Sequence, residues 1–260
     1  MRAVRLSLMT STDNSLAVPT EHGTPAVILV DPQLGENIGM VARAMLNCGL
    51  DDLRLVRPRD GWPNVRAISA ASGADSVIDG ARLFSTTADA ITDLSFLYAA
   101  TARDRDMTKR VVTPDACARQ IRAKGSAGCG ILFGGEAKGL KNDDIALADT
   151  ILMVPLNPAF TSLNLSQAVL LAAYEWYKLG DDTPEDILAM QSSRPANKKE
   201  LSGLFEHLES ALDASGFFHV REKKPIMSRN LRNLLHRAAP TEQEVRTLRG
   251  VIKSLFNHKG

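Results

Sequence analysis

The sequence predicts an α/β fold with a mainly parallel sheet, followed by a small helical extension, and three observations carry that prediction. Short apolar runs of strand length alternate with segments of helical periodicity from residue 25 to about residue 179. The loops after these runs are rich in Gly, Asn and Pro, as expected where a parallel sheet opens its ligand-binding end. Beyond Lys198 the strand-like runs stop and helical periodicity continues, interrupted at Gly216 and Pro240.

Taken in order, residues 25–31 are an apolar run followed by the Gly-containing turn at 33–35. Residues 37–50 read as a helix, with Val41, Ala44, Met45 and Cys48 at helical spacing and Asn37 able to cap it. A second strand is expected over 52–57, and a weaker helix-plus-loop pattern over 64–77. The third clear strand, 94–99, leads into a basic loop at 103–110. Thr113 caps a helix that has Pro114 at its first position and extends to Lys124. Residues 130–133 and 151–154 are further buried strands. Residues 163–179 form a helix that is apolar on most of its circumference, which requires either burial or cover by a partner subunit. A polar, Pro-containing stretch at 181–197 separates a body at 23–180 from a three-helix extension at 198–260. Residues 1–22 read as a flexible leader.

Composition narrows the class. Hydrophobic residues make up 44% and charged residues 23%, enough apolar material for a packed core, and no apolar run approaches a membrane span. The three cysteines, Cys48, Cys117 and Cys129, form no CxxC pair and no ligand grouping. They are expected to be packing residues in a reducing, cytoplasmic setting, with no bound metal. The net charge of +1 is unevenly spread. From Arg194 onward there are 13 Lys and Arg against 7 Asp and Glu, whereas the preceding residues carry 18 against 23. A basic tail beside an acidic body fits contact with a polyanion, and it equally fits a solvated helical surface.

The usual catalytic signatures are missing. Residues 35–39 only loosely imitate a GxGxxG turn, residues 134–139 do not follow the order of a P-loop, and there is no GxSxG elbow or Cys–His pairing. The strand-end loops instead bring together short polar groups in tight backbone: Asn37, Arg43, Glu136, Ser162 and Asn164. Such loops can read an adenine edge through backbone N–H and C=O groups. Each residue also has a plainer role available, as a helix cap (Asn37, Ser162 or Asn164) or as a surface charge (Arg43).

The stretch PQLGENIGMVARAMLNCG (32–49) resembles the first motif of the SPOUT 2′-O-methyltransferases. ILFGGEAKGLKNDDI (131–145) resembles their second motif, and ILMVPLNPAFTSLNLSQAVLLAAYEW (151–176) their third. The tail stretches LFEHLESALDASGFF (204–218) and NLRNLLHRAAPTEQEVRTLRGVI (230–252) are similar to the C-terminal extension of the tRNA (cytidine/uridine-2′-O-)-methyltransferases that act on nucleotide 32 of the anticodon loop. The resemblance implies a deep trefoil knot at the C-terminal part of the α/β body, a bent S-adenosylmethionine held in the knotted loops, and a homodimer that completes the site. It implies cofactor contacts at Ala100, Thr101, Ala102, Gly134, Val154, Thr161, Ser162 and Leu163. One departure is Gly135, where relatives often carry Arg. Ribosomal RNA as substrate, or RNA binding without catalysis, are the alternatives.

In that family the counterpart of Arg43 assists the ribose hydroxyl, as base or as electrostatic partner. A guanidinium keeps its proton to above about pH 12, which favours a clamp on the developing alkoxide and the adjacent phosphate. Asn37, Glu136, Ser162 and Asn164 then orient Arg43, the substrate and the loops, and Arg103 and Arg105 contact the tRNA backbone. No metal is required.

Overall fold

A computed structural model describes residues 23–102, 107–186 and 193–257. The chain divides into two compact units, Met1–Thr183 and Pro184–Gly260. In the first, the elements run β1 (Ala26–Val30), α1 (Gly35–Asn47), β2 (Leu53–Val56), α2 (Val65–Ala71), α3 (Asp75–Asp79), β3 (Arg82–Phe84), α4 (Thr87–Ala90), β4 (Phe96–Ala100), β5 (Arg110–Val112), α5 (Pro114–Lys124), β6 (Cys129–Gly134), α6 (Asn142–Leu147), β7 (Thr150–Leu152) and α7 (Leu165–Lys178). The second holds α8 (Lys198–Ala214), α9 (Lys224–Ala238) and α10 (Glu242–Asn257).

The seven strands form one sheet in the order β3-β2-β1-β6-β4-β7-β5, and every pairing is parallel. A parallel sheet needs cover on both faces, and the two-residue alternation along each strand supplies it. Val27 and Leu29 of β1 join one core cluster with Ile38 and Val41 of α1, Ile121 of α5 and Val169 and Trp176 of α7. Ala26, Ile28 and Val30 join the opposite cluster with Ala90 of α4 and Ile145 of α6. The three cysteines are free and buried, and burial pushes the Cys48 thiol up to about 11. A neutral thiol of that kind packs and does not react.

The expected parallel sheet is present, and two strands were not foreseen. β3 and β5 are three-residue edge strands with largely exposed side chains, so they carry no apolar run to detect. Arg110, expected in a loop, begins β5. Thr113 caps α5 as expected, its Oγ1 accepting from the Ala116 amide at 3.4 Å. Asn37 does not cap α1: the capping position is Leu34, without a side-chain bond, and Asn37 lies inside the first turn and is buried. The expected leader, residues 1–22, lies outside the described residues.

The second unit has a small core. Leu201, Leu204 and Phe205 of α8 and Val245 of α10 form its buried apolar cluster, with Leu235 and Ile252 packed against them. α9 has no buried residue. Asn197 caps α8 and Glu200 closes the capping box, its carboxylate also meeting Arg194 at 2.5 Å.

Candidate active site

The carboxyl ends of β1, β4, β6 and β7 open onto one side of the sheet, where the loops after them meet. A polar chain links three of those loops. Asn37 Nδ2 donates to Glu136 Oε1 at 2.6 Å, and Asn164 Nδ2 donates to Asn37 Oδ1 at 3.0 Å. The Glu136 carboxylate also accepts from the backbone N–H groups of Gln33 and Leu34, at 2.8 and 3.2 Å. Asn164 caps α7 through Ser166, and Gln167 returns a bond to its backbone N–H. Asn37 is only 3% exposed, so its amide would be costly to bury if either end lacked a partner; here both ends are satisfied.

Burial pushes the Glu136 carboxyl up, but the bonds donated by Asn37 and by the backbone amides outweigh it, and the group is held below its ordinary value. A carboxylate stabilised in this way is a poor proton acceptor. Its place is to hold the 33–37 turn against the loop after β6.

Beside this chain lies a cavity of about 370 Å³, within the size range of small-molecule sites. Ala100 lines it at the end of β4, Thr101 and Ala102 after β4, Gly134 at the end of β6, Val154 after β7, and Thr161, Ser162 and Leu163 before α7. The eight residues expected to hold a cofactor therefore lie around one opening. Sequence reasoning missed others there: Phe133, Lys138, Leu152, Leu156 and Ala168, whose apolar or ordinary character gives no local signal.

Two glycines make the loop after β6 possible. A Cβ on Gly134 would sit 2.1 Å from the backbone of Gly139 and of Leu140, so the loop folds back on itself here and admits no side chain. Chain-on-chain contact alone thus already requires glycine at 134, where the residue also lines the cavity. A Cβ on Gly135 would meet the Asp31 carbonyl oxygen at 2.2 Å, so no side chain, such as the Arg the resemblance leads one to expect, can be placed on this backbone. Asp31 itself adopts φ +49° at the end of β1 and binds Arg57 Nε at 2.8 Å and Lys141 Nζ at 3.0 Å. It ties the ends of β1 and β2 to the far side of the same loop, a role the sequence did not reveal.

Arg43 stands apart from the cavity of its own chain. It lies on the exposed side of α1, with no hydrogen-bond or ion-pair partner among the described residues. Exposed Met40 and Leu46 flank it at helical spacing. Ser162 is at the rim, and its hydroxyl has no partner among the described residues. Arg103 and Arg105 lie outside the described residues. No group of three or more His, Cys, Asp or Glu side chains among the described residues is arranged to hold a metal, and no described helix is long and apolar enough to cross a membrane.

Residues 24–174 match the SpoU rRNA Methylase family, and residues 199–259 match the C-terminal domain of the tRNA methyltransferase TrmJ. A tRNA (cytidine/uridine-2′-O-)-methyltransferase TrmJ from Sodalis glossinidius is 32% identical over 235 residues, covering 88% of this chain and 90% of that protein. The chain belongs to the TrmJ branch of the SpoU methylase family. A TrmJ from Pseudomonas aeruginosa described as a tRNA (cytidine/uridine/adenosine-2′-O-)-methyltransferase is 33% identical, covering 87% of this chain and 91% of its own length. The crystal structure of TrmJ from Z. mobilis ZM4 superposes with a TM-score of 0.79 at 52% identity, covering 90% of this chain and all of that one. The polar chain and the cavity both fall within the part that matches the methylase family, and α9, α10 and all but the first residue of α8 fall within the part that matches the TrmJ C-terminal domain.

Proposed function

We propose that the protein transfers a methyl group from S-adenosylmethionine to a ribose 2′-hydroxyl of tRNA, at cytidine or uridine 32 of the anticodon loop, in the cytoplasm. The observation that carries the proposal is the cavity at the strand ends. Its lining is mostly small or apolar, with Glu136 and Lys138 as its charged members. This suits an adenosine read through backbone groups. Ala100, Thr101, Ala102, Gly134, Val154, Thr161, Ser162 and Leu163 would hold the cofactor, in loops that form a trefoil knot. When bound, it supplies a methyl group on a positively charged sulfur.

The remaining work belongs to the chain. Asn37, Glu136 and Asn164 fix the loops relative to one another, so the substrate oxygen is positioned without reorganisation. Glu136, a weak base, orients and does not take the hydroxyl proton. Ser162 meets the substrate at the rim. Arg43 stabilises the developing alkoxide and the neighbouring phosphate. Because Arg43 does not line its own chain's cavity, the site is completed in a homodimer. The exposed Leu170, Leu171, Tyr174 and Tyr177 of α7 support that assembly, as apolar surface a second copy would cover. The body spans residues 23–180, and residues 198–260 form an RNA-binding extension; Arg103 and Arg105 add backbone contacts. Similarity of that extension to the TrmJ C-terminal domain favours tRNA over ribosomal RNA.

The test is transfer of labelled methyl to tRNA, with the modified ribose mapped. Arg43→Ala is expected to lower single-turnover rates by about a hundredfold or more, the size of losing an electrostatic stabiliser, with S-adenosylmethionine affinity kept. A wild-type rate in that variant would remove Arg43 from the mechanism.

A further inference from the structure

Phe160 is 74% exposed, among the most exposed of the large apolar side chains, and it sits directly before the residues that line the cavity. It has no aromatic or cation–π partner among the described residues. A lone exposed apolar residue is ordinary; the backbone beneath this one is not loose. Asn157 Oδ1 accepts from the Ala159 amide at 3.0 Å, and the Phe160 amide donates to the Asn157 carbonyl at 2.9 Å. The ring is thus carried on a hydrogen-bonded turn. Thr161, Ser162 and Leu163 line the cavity immediately after it, and Asn164 then joins the polar chain to Asn37. One short segment presents an aromatic face to solvent and, two residues on, a hydroxyl at the rim.

We propose that Phe160 stacks on the base of the nucleotide whose ribose is methylated, holding it out of its helical stack beside the cavity. This inference rests on the function proposed above. A 2′-hydroxyl in a base-stacked loop is brought into a pocket only if its nucleotide turns outward, and splayed bases are characteristically stacked on aromatic side chains. A target that is either cytidine or uridine sharpens the argument. Cytosine offers an amino donor where uracil offers a carbonyl acceptor, so one fixed hydrogen-bonding group cannot welcome both. A π face accepts either. Preorganisation of the turn spares the ordering that a mobile loop would require on binding.

The experiment measures methyl transfer to tRNA by wild type, Phe160→Ala, Phe160→Leu and Phe160→Trp. Each is tested on tRNA with its target base and on tRNA abasic at the nucleotide mapped with wild type. Phe160→Ala and Phe160→Leu are expected to lose roughly ten- to a hundredfold in kcat/KM, the span of base-stacking contacts removed by substitution, while Phe160→Trp keeps most of the rate. S-adenosylmethionine affinity and thermal stability should be unchanged in all three. Wild type should lose a similar factor on the abasic tRNA, and Phe160→Ala should lose nothing further there. Normal turnover in Phe160→Ala, or losses that multiply when ring and base are both removed, would overturn the inference while leaving the methyltransferase reading intact. A change of oligomeric state in Phe160→Ala would also overturn it, by assigning the ring to a subunit contact. Failure of wild type to methylate tRNA at all would overturn both.

Discussion

The two units of the chain draw their order from different sources. In the first, seven parallel strands are covered on both faces, and the functional end is cross-linked by the Glu136–Asn37–Asn164 chain, whose members are separated by 99 and 127 residues in sequence. In the second, four buried apolar side chains make the core cluster, α9 adds none, and much of the visible polar bonding lies at the surface, as between exposed Arg232 and half-buried Glu209. Exposed pairs of this kind contribute little and are screened by salt. The body is therefore expected to be intolerant of charge change at its site and the tail tolerant of it, with the tail's basic surface free for other uses. Arg221, Lys223, Arg229, Arg237 and Arg249 have no ion-pair partner among the described residues.

The severest test of this contrast is Asn37→Asp. It sets a second carboxylate against Glu136 where a 2.6 Å hydrogen bond stood, in a buried position. One of the two must take a proton or the loops must part. We expect cofactor binding to be lost and the body to be destabilised by about 3 kcal/mol, the scale of breaking a buried pair. Calorimetric unfolding with titration of S-adenosylmethionine reads both, and unchanged values would dissolve the distinction between the units.

A smaller effect is expected from ending the chain near Gly180. The shortened protein should keep its cofactor affinity, because the loops of the site precede the cut. Its tRNA affinity should fall at least tenfold, and its log-affinity should decline less steeply with log salt, by about 0.7–0.9 for each phosphate contact removed. Filter binding across a salt series measures this. Equal slopes for the two proteins would mean that the tail only covers surface.

The smallest effect concerns pH. The folded-state value of Glu136 lies below its ordinary value of 4.5, so the stability it contributes is present at neutral pH and is lost as pH falls through the lowered value. Glu136→Gln should be about 1 kcal/mol less stable than wild type at pH 7, a modest figure because the carboxylate is partly exposed. The gap should close as the pH falls from 4.5 through the lowered value. Denaturant titrations at several pH values decide, and a constant gap would deny Glu136 its charged role.

Much of the body could be read from local pattern. β1, β4, β6 and β7 are largely apolar runs, β2 is one interrupted by Arg54, and α5 and α7 bear their caps in the sequence, at Thr113 and Asn164. What could not be read depends on distant partners. Asn37 lies where a cap is plausible, and only contact with Glu136 and Asn164 makes it an internal strut. Gly134 and Gly135 were visible as tight backbone, but the atoms they approach belong to Gly139, Leu140 and Asp31. Asp31 looked like the end of a strand, and its link to Lys141 spans 110 residues. Phe160 sat inside a recognised motif without drawing attention, because exposure cannot be seen in a sequence.

The position of β6 has a consequence for how the molecule comes into being. β6 lies between β1 and β4, pairing Val27 with Ile131 and Tyr98 with Ile131, so β1 waits about a hundred residues for its inner neighbour. Pairings of such long range form late and slowly. During synthesis β1 and β2 can meet early, but the edge of β1 stays open until the segment around Gly134 has left the ribosome. The segment bearing Asn164 emerges some thirty residues later still. The cavity is consequently a product of the finished body, and a growing chain has no partial version of it with which to capture a ligand ahead of time.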